Sequence, residues 1–379
     1  MLLPRASGHL PEALLRGSHF PRAIFCDFWR SPLSPANADY AKTQVRAFDS
    51  AFWSIGVAYR TLCCRPPPFP NRACAPHHPP SSQIAAWSST ITILVTGSTG
   101  TIGSQVVQGL AGQSARVRAL VRGDASKIKV PAGVEPVQGD LTDVASMRTA
   151  LKGVDTLFLL NAVAADETTQ ALGTLGLARE AGIQRIVYFS TFNSALFDDV
   201  PHFASKYLVE RVIDAQAVPA TVLRPGAFMQ NDLMLRDALE AGIYPQPIGG
   251  VGVAMVDIRD IADAVVAELL RRERAPHPLP RTTIELVGPD TLTGAEITAI
   301  WASMLGKDVR YGGDDLATFE SRAAGMMPGW MAHDIRLMLR AFHRFGMIPG
   351  KDSRATFEAL IGHPLRSYRA FAQEVAANW

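Results

Sequence analysis

From residue 89 to the C-terminus the sequence contains no cysteine; all four (Cys26, Cys63, Cys64 and Cys74) lie upstream. That part of the chain therefore needs no disulfide, and thiol catalysis and cysteine-ligated metal sites are excluded from it. No metal site is expected. Also missing is any uninterrupted apolar run near the roughly 18–20 residues that a bilayer crossing needs. Charge is sparse as well: 19% of the 379 residues are charged and the net charge is +2, which gives no reason to expect nucleic acid as a partner. A soluble protein in a reducing, cytoplasmic setting, with no membrane partner, is the expectation. The charge that is present is unevenly placed. Residues 1–88 hold nine Lys/Arg and four Asp/Glu, and the longer remainder is mildly acidic.

What is abundant at the start is proline. Twelve of the 26 prolines fall within residues 1–88, among them Pro66-Pro67-Pro68 and Pro79-Pro80. Such stretches continue neither a helix nor a central strand. Residues 1–88 are read as a largely disordered Pro/Arg-rich extension. A misplaced translation start would give this composition. A transit segment suits its Arg-rich, acid-poor character but ranks slightly lower, because the prolines oppose an amphipathic helix.

With 47% hydrophobic residues the rest of the chain can build a sizeable core. Ile91 to Val95 is a short β-branched run, as expected of a parallel strand covered on both faces. A glycine-rich turn follows, then a helical stretch over 102–110. Strands are predicted at 117–121, 134–137, 156–160, 185–189 and 220–223, and helices at 144–151, 168–181 and 203–215. This alternation predicts an α/β fold, a doubly wound parallel Rossmann sheet, over 89–224. Beyond Pro225 the pattern loosens, with a helix over 258–270, strand-like runs at 253–256 and 282–287, and capping-box spacing at Thr293 to Glu296. Residues 225–379 are read as a smaller, mostly helical substrate lobe.

The turn after the first strand is Thr96-Gly97-Ser98-Thr99-Gly100-Thr101-Ile102-Gly103. Three glycines at this spacing, between a strand and a helix, suit a diphosphate: one for the tight turn, one for close backbone approach, one for packing helix on strand. Free N–H groups at the helix start then hold the phosphates. Arg122 stands at the end of the second strand, where an acidic residue would select NAD. A guanidinium suits a 2′-phosphate, and Lys127 would add charge, so NADP(H) is preferred over NAD(H). Asp140, followed by Leu141, is placed to reach the adenine amino group; a plain turn aspartate is the equal alternative. The fourth and fifth strands end at Asn161 and Ser190, which should border the nicotinamide. His202 and Lys206 share one face of the next helix. The lysine could bond the nicotinamide ribose, the alternative being an ion pair with Glu210. The histidine could donate a proton, the alternative being a surface residue at a helix start. Phe192, Phe228 and Met229 are candidates for an apolar substrate wall, with ordinary core as the other reading.

Taken together, the turn, Val117 to Arg122, Gly139-Asp140-Leu141, Thr221 to Phe228 and Val256 to Ala262 resemble the NmrA-like family of the atypical short-chain dehydrogenase/reductase superfamily. The resemblance covers about residues 91–375. It implies a Rossmann domain with a small C-terminal lobe. It also implies either NAD(P)H-dependent reduction of quinones and azo dyes or cofactor-sensing regulation without turnover. One departure from ordinary short-chain dehydrogenases bears on the chemistry. The position four before Lys206 holds His202, not the tyrosine that protonates a carbonyl in those enzymes. Hydride transfer to a quinone-like acceptor tolerates that loss, since solvent or His202 can protonate the oxygens. The leading expectation is an NADPH-dependent oxidoreductase acting on a quinone-like or other electrophilic small molecule, alone or as a homodimer. The alternative is a redox-sensing regulator that binds NAD(P) and a partner protein.

Overall fold

The computed structural model describes residues 91–379; the extension expected over 1–88 lies outside the described residues. The first strand, β1 (Thr92–Val95), is buried at every position. It leads through the glycine turn into α1 (Thr101–Leu110). There follow β2 (Arg116–Val121), β3 (Val134–Gln138), α2 (Val144–Leu151), β4 (Thr156–Leu159), α3 (Glu167–Glu180), β5 (Arg185–Phe189), α4 (Pro201–Ala215) and β6 (Ala220–Pro225). After a 3-10 segment over Met229–Leu235 come α5 (Arg236–Glu240), β7 (Ile243–Tyr244), β8 (Val253–Ala254), α6 (Ile258–Arg274), β9 (Thr282–Leu286) and β10 (Thr291–Leu292). The chain closes with α7 (Gly294–Leu305), β11 (Arg310–Tyr311), α8 (Leu316–Ala323), α9 (Gly329–Phe345), α10 (Ser353–Ile361) and α11 (Tyr368–Ala376).

Seven strands form one sheet in the order β3-β2-β1-β4-β5-β6-β9, with every pairing parallel. Strand order reverses at β1 and β4, so the crevice at their carboxyl ends is where such a sheet takes a ligand. Both faces are covered. On one, Ile102, Val106, Val107 and Leu110 of α1 pack with Ile261 and Val265 of α6 over Ile93 and Val95. On the other, Met147, Leu175 and Ile213 lie over Leu94, Leu157 and Ile186. Each fully buried side chain of this size contributes about 1.5–3 kcal/mol. A third cluster, with Trp301, Tyr244, Tyr368 and Phe342, forms the core of the C-terminal lobe. There β10 pairs antiparallel with β8, and β11 parallel with β7.

The sheet does not stop at residue 224. Strand β9 adds to β6 in parallel, from Thr221 beside Thr282 to Pro225 beside Leu286. The intervening helix α6 is the crossover that a parallel pairing requires. Phe357 of α10 joins the same core. The lobe is therefore drawn from segments on either side of α6 and β9, not from all of 225–379. The strand expected over 253–256 is reduced to Val253–Ala254, with Val256 making an isolated bridge to Phe228. The expected capping box at Thr293 and Glu296 is formed. Among the described residues no helix is long and apolar enough to cross a membrane.

Candidate functional site

The glycine turn is built by close approach. Gly97 has φ +59, in the left-handed region. A Cβ there would sit 3.0 Å from both the carbonyl oxygen and Cγ of Leu160. Gly103 is tighter: its Cβ would lie 2.1 Å from the Gly97 carbonyl oxygen. The Gly100 N–H donates to that same oxygen at 3.0 Å, and the Ser104 N–H to the Gly100 carbonyl at 2.9 Å. Thr96 anchors the turn to the neighbouring strand. Its hydroxyl donates to the Leu160 carbonyl at 2.7 Å and accepts from the Leu160 N–H at 2.8 Å. The buried Ser98 hydroxyl is spent on the Leu120 carbonyl at 2.6 Å, which fixes the turn. Gly100 is the N-cap of α1 and no side chain caps it. Thr99, Gly100 and Thr101 are exposed, and Ile102 and Gly103 are buried. The first-turn N–H groups, at the positive end of the helix dipole, are thus presented beneath a turn that packs too closely to admit a side chain at Gly103.

Arg122 is exposed just beyond β2. It lies close enough to Asp140, at the end of the adjacent β3, to help lower that carboxyl, though hydrogen bonds from Thr142 lower it more. Lys127 is 80% exposed and 3.3 Å from Asp124, a surface pair of small energetic value. Asp140 takes the turn role: its carboxylate accepts from the Thr142 N–H at 2.8 Å and from the Thr142 hydroxyl at 2.6 Å. Leu141 packs its side chain against the core beneath.

At the ends of β4 and β5 the structure assembles a polar cluster that the sequence disclosed only in part. Lys206 is buried, with Nζ 2.7 Å from Glu167 Oε1 and 3.4 Å from Asn161 Oδ1. Asn161 in turn donates to the Glu167 carbonyl at 3.1 Å. The alternative ion pair of Lys206 with Glu210 does not form. Glu210 instead accepts from Arg224, from Ser194 at 3.1 Å and from Ser190. Ser190 therefore points its proton into the core. Burial pushes the Glu167 carboxyl above its ordinary value, partly offset by the Lys206 ammonium. Glu167 opens α3, where an acid is usually a partner for the helix dipole; nothing local shows that it meets Lys206.

His202 is not a free surface residue. Its Nδ1 bonds Asp334 of α9, and its backbone N–H donates to the same carboxylate at 3.0 Å. The His202 side chain is 14% exposed and that of Asp334 1%. Nothing in the sequence singles out Asp334, because only the fold brings it next to a residue 132 positions earlier. Phe192 and Met229 are core residues and do not form a wall; Phe228 is partly buried. Exposed aliphatic side chains do follow the strand ends, at Val163 after β4 and Leu196 after β5. A depression of about 430 Å³ elsewhere, lined by Gln230, Arg259 and Glu374 among others, is a poor rival. Several of its polar groups are already paired, Arg259 with Asp257 and Glu374, and Gln230 with the Ile258 N–H.

A sequence profile of the NmrA-like family matches residues 89–362. The chain belongs to that family. It is 32% identical over 290 residues to an NAD(P)H azoreductase of Xenophilus azovorans, covering 75% of this chain and 98% of that one. Among solved structures, the NADPH complex of an NADPH-dependent quinone oxidoreductase from Escherichia coli superposes with a TM-score of 0.66 at 24% identity, over 75% of this chain and 99% of the other. NmrA, a negative transcriptional regulator, gives 0.58 at 19% identity, over 76% and 96%. These two likenesses are of fold. This NmrA-like chain thus shares its architecture with reductases and with a regulator.

Proposed function

We propose that this NmrA-like protein is an NADPH-dependent reductase of a quinone-like or other electrophilic small molecule, acting in the cytoplasm. The observation that carries the reading is the Gly97–Gly103 cradle. An uncapped helix start lies under a turn so close that a Cβ at Gly103 would overlap backbone at 2.1 Å. Donors of this kind suit a diphosphate bridge. The Thr99, Thr101, Ile102 and Gly103 amides would hold the diphosphate over a turn shaped by Gly97 and Gly100, Arg122 and Lys127 the 2′-phosphate, and Asp140 and Leu141 would border the adenine. Asn161, Ser190 and Lys206 would border the nicotinamide end. When bound, the dihydronicotinamide supplies a hydride.

The protein's own residues do the rest. Glu167 and Asn161 hold the Lys206 ammonium in one place, so that a ribose hydroxyl can be met without reorganisation. Val163 and Leu196 offer apolar surface to a flat acceptor and help keep water away. His202 lies one turn before Lys206 with Nε2 free of any hydrogen bond among the described residues. It is the side chain proposed to supply a proton. The 32% identity to an NAD(P)H azoreductase supports reduction over sensing.

The test is to titrate purified protein with NADPH, then add a panel of quinones and follow the loss of nicotinamide absorbance. Saturable binding followed by turnover is expected. Binding without turnover across a broad panel would replace the reductase with a cofactor-sensing regulator.

A further inference from the structure

We propose that His202 and Asp334 form a proton-delivery pair, and hence that the natural acceptor needs a proton as well as a hydride. This rests on the reductase reading above. A single buried carboxylate accepts two bonds from the start of α4: one from the His202 backbone N–H at 3.0 Å and one from Nδ1 of the same residue. The first bond caps a helix whose own N-cap, Val200, supplies no side-chain acceptor. The second fixes the ring, because a carboxylate can only accept, so the hydrogen of the neutral imidazole sits on Nδ1. Nε2 is then the nitrogen left to exchange a proton with a bound molecule. The Phe203 ring packs edge-on with the imidazole, with centroids 4.5 Å apart. Other charged groups near the pair are Glu167 and Lys206, already tied to each other at 2.7 Å.

A quinone receives a hydride from the dihydronicotinamide and becomes the hydroquinone anion. The imidazolium N–H bond at Nε2 breaks and an O–H bond forms on that anion. His202 is left neutral with its hydrogen on Nδ1, held by Asp334, and water restores the Nε2 proton. One NADPH and one proton are consumed per quinone. An acceptor that is itself a cation, such as a triarylmethyl dye, takes the hydride alone and makes no use of the pair. Asp334 does not touch the acceptor; it is a positioning residue that acts through His202.

The experiment compares the two acceptor classes in the full-length protein. In Asp334→Asn, the ratio of quinone turnover to cationic-dye turnover is expected to fall at least tenfold, within the range that general acids contribute. His202→Gln should lower the same ratio, which keeps the test open if the Asp334 variant folds poorly. A second readout needs no cofactor: imidazole nitrogen NMR of the wild type should show neutral His202 as the Nδ1–H tautomer alone, and Asp334→Asn should give a mixture. Equal losses with both acceptors, or an unchanged ratio in a folded variant, would make Asp334 a structural cap and overturn the proposal. So would a wild-type ring with its hydrogen on Nε2. Wild-type protein that reduces neither acceptor would remove the reductase reading itself, a result distinct from an unchanged ratio.

Discussion

Replacing Gly103 with alanine sets a methyl carbon 2.1 Å from the Gly97 carbonyl oxygen, 2.7 Å from its carbonyl carbon and 2.9 Å from Ser98 Cα. All three are backbone atoms, so no side chain can swing aside. A normal contact needs roughly an ångström or more of additional separation. The turn cannot yield toward β4, because Gly97 already rests on Leu160 and Thr96 is bonded to the Leu160 carbonyl at 2.7 Å. It must shift outward, into the space the diphosphate would occupy. Overpacking of this sort costs about 1–3 kcal/mol. At about 1.4 kcal/mol per tenfold, the same displacement should weaken NADPH about tenfold to hundredfold. Gly173 in α3 is the control: an added Cβ meets nothing within 4 Å, and alanine there should stabilise by about 0.5–1 kcal/mol. Fluorescence titration with NADPH, alongside thermal melting, reads both effects. If Gly103→Ala bound NADPH like the wild type, the close-packed cradle would not be the phosphate site.

Arg122→Asp should weaken NADPH about tenfold or more while sparing NADH, because only the former offers a 2′-phosphate to a guanidinium; parallel titrations giving equal effects would remove the cofactor preference. Lys206→Met strands the Glu167 carboxylate without a counter-charge and should cost about 3–5 kcal/mol in urea unfolding. Most of that should return in the Lys206→Met/Glu167→Gln double variant. No loss in the single variant would show the pair to be idle. Asp232 is fully buried, with hydroxyls of Tyr368 and Tyr244 as its donors. Burial pushes its carboxyl up to about 7, against the pull of those two hydrogen bonds. A folded value above the unfolded one means that its stabilisation is complete below about pH 4 and is lost as pH rises through about 7, a change of about 4 kcal/mol. Asp232→Asn should flatten that slope in unfolding experiments between pH 4 and 8; an unaltered slope would place the titration elsewhere.

Much of this architecture is legible along the chain because it is written locally. Short apolar runs such as Ile91 to Val95 and glycine caps such as Gly182 need only their neighbours to be understood. The phosphate turn is legible for the same reason: three glycines within seven residues, between a strand and a helix, state their own geometry. What stays hidden depends on pairs far apart. The edge strand β9 is half-buried and carries only a weak strand pattern, so its membership of the sheet emerges from its register with β6. Glu167 looks like a dipole-complementing acid, and Asp334 like one more polar residue on a lobe helix. Their meaning comes from Lys206 and His202, reached only through the fold. Local pattern also leaves Phe192, Phe228 and Met229 open between a substrate wall and ordinary core, and only the fold shows Phe192 and Met229 buried in the core.

Nicotinamide dinucleotide binding at the start of α1 underlies every functional step proposed for this protein. Isothermal titration calorimetry of the full-length protein with NADPH tests it directly. Saturable heat at one site per chain is predicted, lost or strongly weakened in Gly103→Ala. Folded wild-type protein that gives no heat with NADPH, NADP, NADH or NAD would contradict it, and would leave the Rossmann architecture without the function proposed for it.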